Sequence, residues 1–270
     1  MTHSRPTIHE LLGAGGLAPR RDLGQNFVAD PNTVRRIAAL ADVGPGDHVV
    51  EIGAGLGSLT LALAETGASV TAIEVDRGVV PLLRGVVADL EQVQVIEADA
   101  TTVDWAELLA ADEDWTLVAN LPYNVATPLV CDLLDDVPAI SSFLVMVQRE
   151  VAERMAAGPG SKQYGAVSVK VSYWGDARVV GLVPASVFVP RPNVESALVR
   201  IDRRPPPDVA PDALFPLVKQ AFGQRRKMLR KSLRERVTDD QFRRADVAPE
   251  ARPEDLDLEA WCRLAEAIDG

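Results

Sequence analysis

From residue 48 onward, short runs rich in β-branched residues alternate with stretches of helical spacing, and this alternation limits the possible folds most strongly. The runs His48–Ile52, Ser69–Glu74, Val93–Glu97, 116–120 and 143–148 read as buried strands, and 58–65, 77–90 and 128–134 as helices between them. Parallel strands need crossover connections, so the pattern predicts an α/β fold with a Rossmann-like parallel sheet covered on both faces. Further strands are expected at 179–183 and 197–201. Pro205, Pro206, Pro207 and Pro211 punctuate the chain after them, and helical patterns follow at 213–237 and 258–268. The expectation is therefore a catalytic domain over 1–204 and a smaller, mostly helical C-terminal domain over 205–270.

Glycines are placed where the first of these strands must turn. The segment Val49-Val50-Glu51-Ile52-Gly53-Ala54-Gly55-Leu56-Gly57-Ser58 runs from strand through a glycine-rich turn into a helix. Such a turn lets backbone approach a nucleotide cofactor closely at the carboxyl end of a sheet. Glu74 ends the next strand, 21 residues after Gly53, where a carboxylate can accept from both ribose hydroxyls. Asp99, after the third strand, can accept from an adenine amino group. A dehydrogenase also carries an acid about 20 residues past its glycines. The spacing here is G-x-G-x-G rather than G-x-G-x-x-G, which favours S-adenosylmethionine without settling the matter.

The fourth strand ends in Asn120-Leu121-Pro122-Tyr123. The asparagine amide offers a donor and an acceptor, and the Leu121 carbonyl, held by the following proline, a second acceptor. Two acceptors converging on an exocyclic amine can aim its lone pair at a methyl group. Tyr123 supplies a flat face for stacking a base. Alone the tetrapeptide is also compatible with an ordinary strand-ending turn; after the cofactor series it points to an amino-methyltransferase working by positioning and electrostatics. No metal is called for. His3, His9 and His48 form no cluster and read as ordinary surface or strand positions, and Cys131 and Cys262 as two separate reduced thiols.

A net charge of −11 opposes binding to phosphates unless the cations are gathered in one place. They are. Between residues 219 and 236 lie eight basic residues and one acid, a stripe suited to RNA that a solvated helix face would also explain. The apolar runs are too short to span a bilayer, and residues 1–12 have no apolar core of a secretory leader, so a cytoplasmic protein without a membrane partner is expected.

Taken in order, these segments resemble the KsgA-type (RsmA) small-subunit rRNA adenine N6,N6-dimethyltransferases. The resemblance runs from Leu23 to about Leu233. It rests on Leu23-Gly24-Gln25-Asn26-Phe27, the Glu-Ile-Gly-Ala-Gly-Leu-Gly turn, Asn-Leu-Pro-Tyr-Asn, and Gln148-Arg149-Glu150-Val151-Ala152-Glu153-Arg154. Tyr164-Gly165, Phe188-Val189-Pro190-Arg191-Pro192-Asn193-Val194 and Phe222-Gly223-Gln224-Arg225-Arg226-Lys227 complete it. It implies that Asn26 and the backbone of Val28 contact S-adenosylmethionine together with Gly53, Glu74, Asp99 and Asn120, and that Tyr123 and Phe188 sandwich the target adenine. It implies phosphate contacts from Arg225, Arg226, Lys227, Arg230 and Lys231. The implied substrate is a pair of adjacent adenosines in the 3′-terminal hairpin of 16S rRNA, within immature 30S particles, acted on by a monomer. Departures from the family pattern are Val28 for leucine, Ala54 for proline, and Arg191 and Asn193 in a loop more often rich in proline and lysine. The large-subunit rRNA methyltransferases of macrolide resistance share the cofactor and reaction motifs and remain an alternative, as does a ribosome-assembly factor whose methylation is incidental.

Overall fold

In the computed structural model, which describes residues 2–20, 22–110 and 113–269, the chain forms two compact units. The first comprises Met1–Ala152 and Val179–Asp202, the second Glu153–Arg178 and Arg203–Gly270. The expected boundary after residue 204 thus falls near the last crossing, but the segment 153–178 belongs with the C-terminal residues. Its buried Tyr164, Val169 and Tyr173 share a core with Leu214, Phe242 and Trp261.

The first unit begins with α1 (Arg5–Ala14), β1 (Phe27–Val28) and α2 (Pro31–Ala41). It continues as β2 (His48–Ile52), α3 (Ser58–Ala64), β3 (Ser69–Glu74), α4 (Val80–Val86), β4 (Val93–Glu97) and α5 (Trp105–Leu108). Then follow β5 (Trp115–Asn120), α6 (Ala126–Asp136) and β6 (Ile140–Gln148). Next along the chain come α7 (Arg149–Met155), α8 (Ala166–Trp174), β7 (Gly175–Val183), β8 (Phe188–Val189) and β9 (Ser196–Arg203). The remaining helices are α9 (Pro211–Gly223), α10 (Leu229–Ser232), α11 (Asp239–Arg244) and α12 (Leu258–Asp269).

Seven strands form one sheet in the order β4-β3-β2-β5-β6-β9-β7, parallel from β4 to β6 and antiparallel where β9 joins β6. Chain order reverses between β2 and β5, which opens a crevice at the carboxyl ends of the strands. Register determines what meets there. Ile52 pairs with Ile73 on one side and Ala119 on the other, so the next residue on each strand, Gly53, Glu74 and Asn120, converges on that crevice.

Two helical expectations change. The pattern over 77–90 yields only α4, with a proline in its first turn and glycine at residue 85 weakening its last. The pattern over 213–237 breaks after Gly223, where a low-propensity residue meets three consecutive cations, and resumes as the short α10 so that Leu229 and Leu233 reach the core. No helix among the described residues is long and apolar enough to cross a membrane.

Candidate active site

A cleft at the crevice is lined by Asn26, Val28, Gly53, Glu74, Asn120, Leu121 and Tyr123, so seven of the residues expected from sequence share one wall. The glycine turn shapes its floor. Gly55 has φ +57°, and a Cβ there would come within 3.0 Å of the Phe27 ring, so the position demands glycine twice over.

Glu74 is 6% exposed, and its carboxylate anchors that turn. Oε2 accepts the Gly55 N–H at 2.7 Å, and Oε1 accepts the Asp76 N–H at 2.9 Å. Burial pushes its pKa up, while these two N–H donors pull the other way. Each oxygen keeps a second lone pair, which leaves acceptor capacity toward the cleft. Asp76 in turn accepts from the Gln25 side chain at 2.7 Å, tying the N-terminal loop to the end of β3.

Asp99 is exposed and lines a second, adjoining cleft with Gly53, Ile52, Val75 and Leu129. One of its oxygens already accepts from the Thr101 N–H at 2.9 Å and hydroxyl at 2.7 Å.

Asn120 ends β5 and donates its side-chain N–H to the Asn26 carbonyl at 3.0 Å. Asn26 uses its own amide on the Gly24 carbonyl, so this side chain braces its loop. The Leu121 N–H is held by the Met146 carbonyl at 3.1 Å, and the Pro122 carbonyl accepts from Val125 and Ala126. The reaction motif is thereby pinned on both sides. Tyr123 is partly buried, with its hydroxyl 2.8 Å from the Ser196 hydroxyl, and burial raises its pKa.

Phe188 lies elsewhere than expected. Pairing of β1 with β8 sets it opposite Val28, but its ring is 1% exposed, packed in an apolar cluster with Val34, Leu59 and Leu198, and absent from the cleft wall.

The five basic residues lie in the second unit, and they are not equivalent. Arg225 donates to the Ser161 carbonyl at 3.4 Å and pairs with the partly buried Glu254 at 3.6 Å. Arg230 pairs with Glu250 at 2.9 Å. Lys227, Arg230 and Lys231 border a shallow polar depression together with Arg234, which the sequence reading did not single out. Arg226 is exposed.

Other residues were missed as site residues. Glu51, 1% exposed, lines the cleft; burial raises its pKa to about 8, helped by the nearby Glu74 charge and opposed by the Thr60 hydroxyl at 2.6 Å. Ser58 also lines the cleft, with a buried hydroxyl lacking any partner. Both stand inside the glycine motif, so adjacency was the available signal. His3, read as an ordinary position, is instead buried against that turn, with Nε2 2.8 Å from the Leu56 carbonyl.

The side chains of the cleft wall are acidic rather than basic. Among the described residues it carries two buried carboxyl groups, Glu51 and Glu74, and no lysine or arginine. With Glu51 held protonated by burial, Glu74 is the carboxyl left to face a cationic sulfonium, and no side-chain cation is there to hold a pyrophosphate.

The family model for ribosomal RNA adenine dimethylase matches residues 16–270. The chain belongs to the ribosomal RNA adenine dimethylase family. It is an S-adenosylmethionine-dependent rRNA adenine dimethyltransferase with the Rossmann-like fold of its class. Among curated relatives, the ribosomal RNA small subunit methyltransferase A of Cutibacterium acnes is 46% identical over 97% of this chain and 93% of its own length. The protein of the same name from Bifidobacterium longum (strain NCC 2705) is 44% identical over 100% of this chain and 97% of its own. Among solved structures, the 23S rRNA methyltransferase ErmE is 27% identical with a TM-score of 0.70, covering 91% of this dimethylase and 100% of the solved chain. A dimethyladenosine transferase from Plasmodium falciparum, 23% identical over 87% of this chain and 94% of its own, has a TM-score of 0.75 and supports the fold.

Proposed function

We propose that this dimethylase acts on two adjacent adenosines in the 3′-terminal hairpin of 16S rRNA, converting each to N6,N6-dimethyladenosine during 30S subunit biogenesis. The cytoplasm is its proposed compartment, an immature 30S particle its substrate, and a monomer its working form. The small-subunit choice is supported by curated relatives at 44–46% identity over nearly the whole chain, all named for that subunit, against 27% for the 23S enzyme.

The observation that carries the chemistry is the fixed orientation of Asn120. Because its N–H is engaged by the Asn26 carbonyl, its Oδ1 is the group left to accept from a target amine. The Leu121 carbonyl, fixed by Pro122, is the second acceptor. S-adenosylmethionine supplies a methyl group activated on a sulfonium. Oδ1 and the Leu121 carbonyl hold both N6 hydrogens for the first transfer and the one that remains for the second, directing the nitrogen lone pair in line and favouring its tetrahedral form; each transfer gives up one N6 proton to solvent. Tyr123 stacks on the adenine, its tilt set by Ser196. Asn26, the backbone of Val28, Gly53, Glu74 and Asp99 hold the cofactor, with Glu74 accepting from the ribose diol. Phe188 completes the base sandwich only when its ring is uncovered. Arg226, Lys227, Arg230 and Lys231, with Arg234, contact RNA phosphates.

The test is methyl transfer from labelled cofactor to immature 30S particles and separately to 23S rRNA, with mapping of the modified bases. Dimethyladenosine in the 16S 3′-terminal hairpin supports the reading. Label confined to 23S rRNA overturns it in favour of the resistance-type reaction.

A further inference from the structure

The segment ahead of the recognised motifs contacts both the glycine turn that lines the cleft and the backbone of the segment bearing Phe188. His3 is 6% exposed and holds the carbonyl of Leu56, a residue of the glycine turn, at 2.8 Å. Two residues later, Arg5 donates through Nη2 to the Ser186 carbonyl at 2.7 Å and the Phe188 carbonyl at 3.3 Å. Past these two polar anchors, α1 buries Ile8 and Leu12 in one apolar cluster with Leu56, Phe27 and Val189. One short helix thus touches the cofactor turn, the strand that lines the cleft, and the backbone of the segment bearing Phe188.

We propose that residues 2–12 act as a positioning strap, in which His3 sets the glycine turn for the cofactor and Arg5 sets the Ser186–Phe188 backbone for the target base. The second half rests on the role proposed above for Phe188; the first half requires only cofactor binding. A carbonyl acceptor demands a hydrogen on Nε2, and burial lowers the His3 pKa, which favours the neutral ring. Neither side chain touches a reacting atom. Their effect is transmitted through Leu56, whose neighbour Gly55 is the donor to Glu74, and through the carbonyl of Phe188 itself.

The two ends make separable predictions in the full chain. His3→Ala raises the KM for S-adenosylmethionine about tenfold, the factor expected for one buried hydrogen bond, with kcat changed less than about threefold. His3→Gln, whose Nε2–H reaches the same carbonyl, restores KM to within about twofold. Arg5→Ala lowers kcat on rRNA about tenfold and leaves cofactor affinity by calorimetry unchanged. Melting temperatures are recorded for every variant. Leu133→Ala, a core cavity in α6, gives the behaviour of a chain that is only less stable. A KM shift shared equally by His3→Ala and Leu133→Ala, or no rescue by His3→Gln, overturns the strap. So does Arg5→Ala with wild-type kcat. A wild-type chain that binds cofactor yet methylates neither rRNA sinks the proposed substrate, while calorimetry on the His3 pair still decides the first half.

Discussion

The side-chain amide of Asn120 donates to the backbone carbonyl of Asn26 across 94 residues of sequence, at 3.0 Å. The asparagine proposed to hold the target amine is therefore aimed by a loop that lines the cleft, and its rotamer depends on that loop being in place. Asn120→Ala is expected to lower kcat about 10²–10³-fold while cofactor affinity falls less than about tenfold. Single-turnover methylation alongside calorimetry separates the two quantities. Asn120→Asp should be no better, because a carboxylate would face the Asn26 carbonyl without a hydrogen between them.

Glu74 receives one backbone N–H on each carboxylate oxygen. Glu74→Ala should weaken cofactor binding by about 1–3 kcal/mol. Glu74→Gln should also weaken it, since its NH2 must oppose the N–H of either Gly55 or Asp76. Wild-type affinity in the Gln variant would remove Glu74 from the anchoring of the turn.

Tyr123→Ala should cost about 1–3 kcal/mol of base stacking, read as a higher KM for RNA. Tyr123→Phe keeps the ring and loses only the Ser196 contact, so its effect should be the smaller of the two. Equal loss in both would assign the role to the hydroxyl.

The sequence revealed the sheet well and the site in part, for reasons visible at particular residues. The strands β2, β3 and β4 begin and end as expected, because each is a short local run rich in β-branched residues. Gly53 and Glu74 follow from the ends of β2 and β3, and Asn120 from the end of β5. Contacts made at a distance left no local trace. Nothing around His3 announces a partner 53 residues away, and Phe188 has the same local sequence whether its ring faces the cleft or the core. Likewise, five neighbouring cations look alike until Glu254 and Glu250 are seen opposite Arg225 and Arg230.

That inequality gives its own prediction. Neutralising Arg226, Lys227 and Lys231 together should flatten the salt dependence of RNA binding. Arg225→Ala should instead lower stability by about 1 kcal/mol, being partly exposed, with a smaller change in salt slope. Identical slopes for the triple variant and the wild type would move the phosphate surface elsewhere.

Glu51 makes stability without cofactor depend on pH. Its folded pKa of about 8 exceeds the ordinary value of 4.5, so the folded chain retains a proton that the unfolded chain has lost between those limits. Stability therefore falls as pH rises through that window. Glu51→Gln removes this slope and should gain about 2–4 kcal/mol relative to wild type between pH 5 and pH 8. Parallel urea-unfolding curves at the two pH values would refute the protonated state.

The chain crosses between its two units three times, at 152/153, 178/179 and 202/203. During synthesis this imposes an order of completion. All of the first unit has left the ribosome once residue 202 emerges, but residues 153–178 must then wait. The Tyr164 hydroxyl donates to the Leu256 carbonyl and the Tyr173 hydroxyl to that of Val209, and the core around both includes Trp261 of α12. A nascent chain stalled before α12 would leave the core around those rings without Trp261, a state for chaperones or proteases to recognise. Shortening the protein from its C-terminus thus weakens an internal segment nearly a hundred residues upstream.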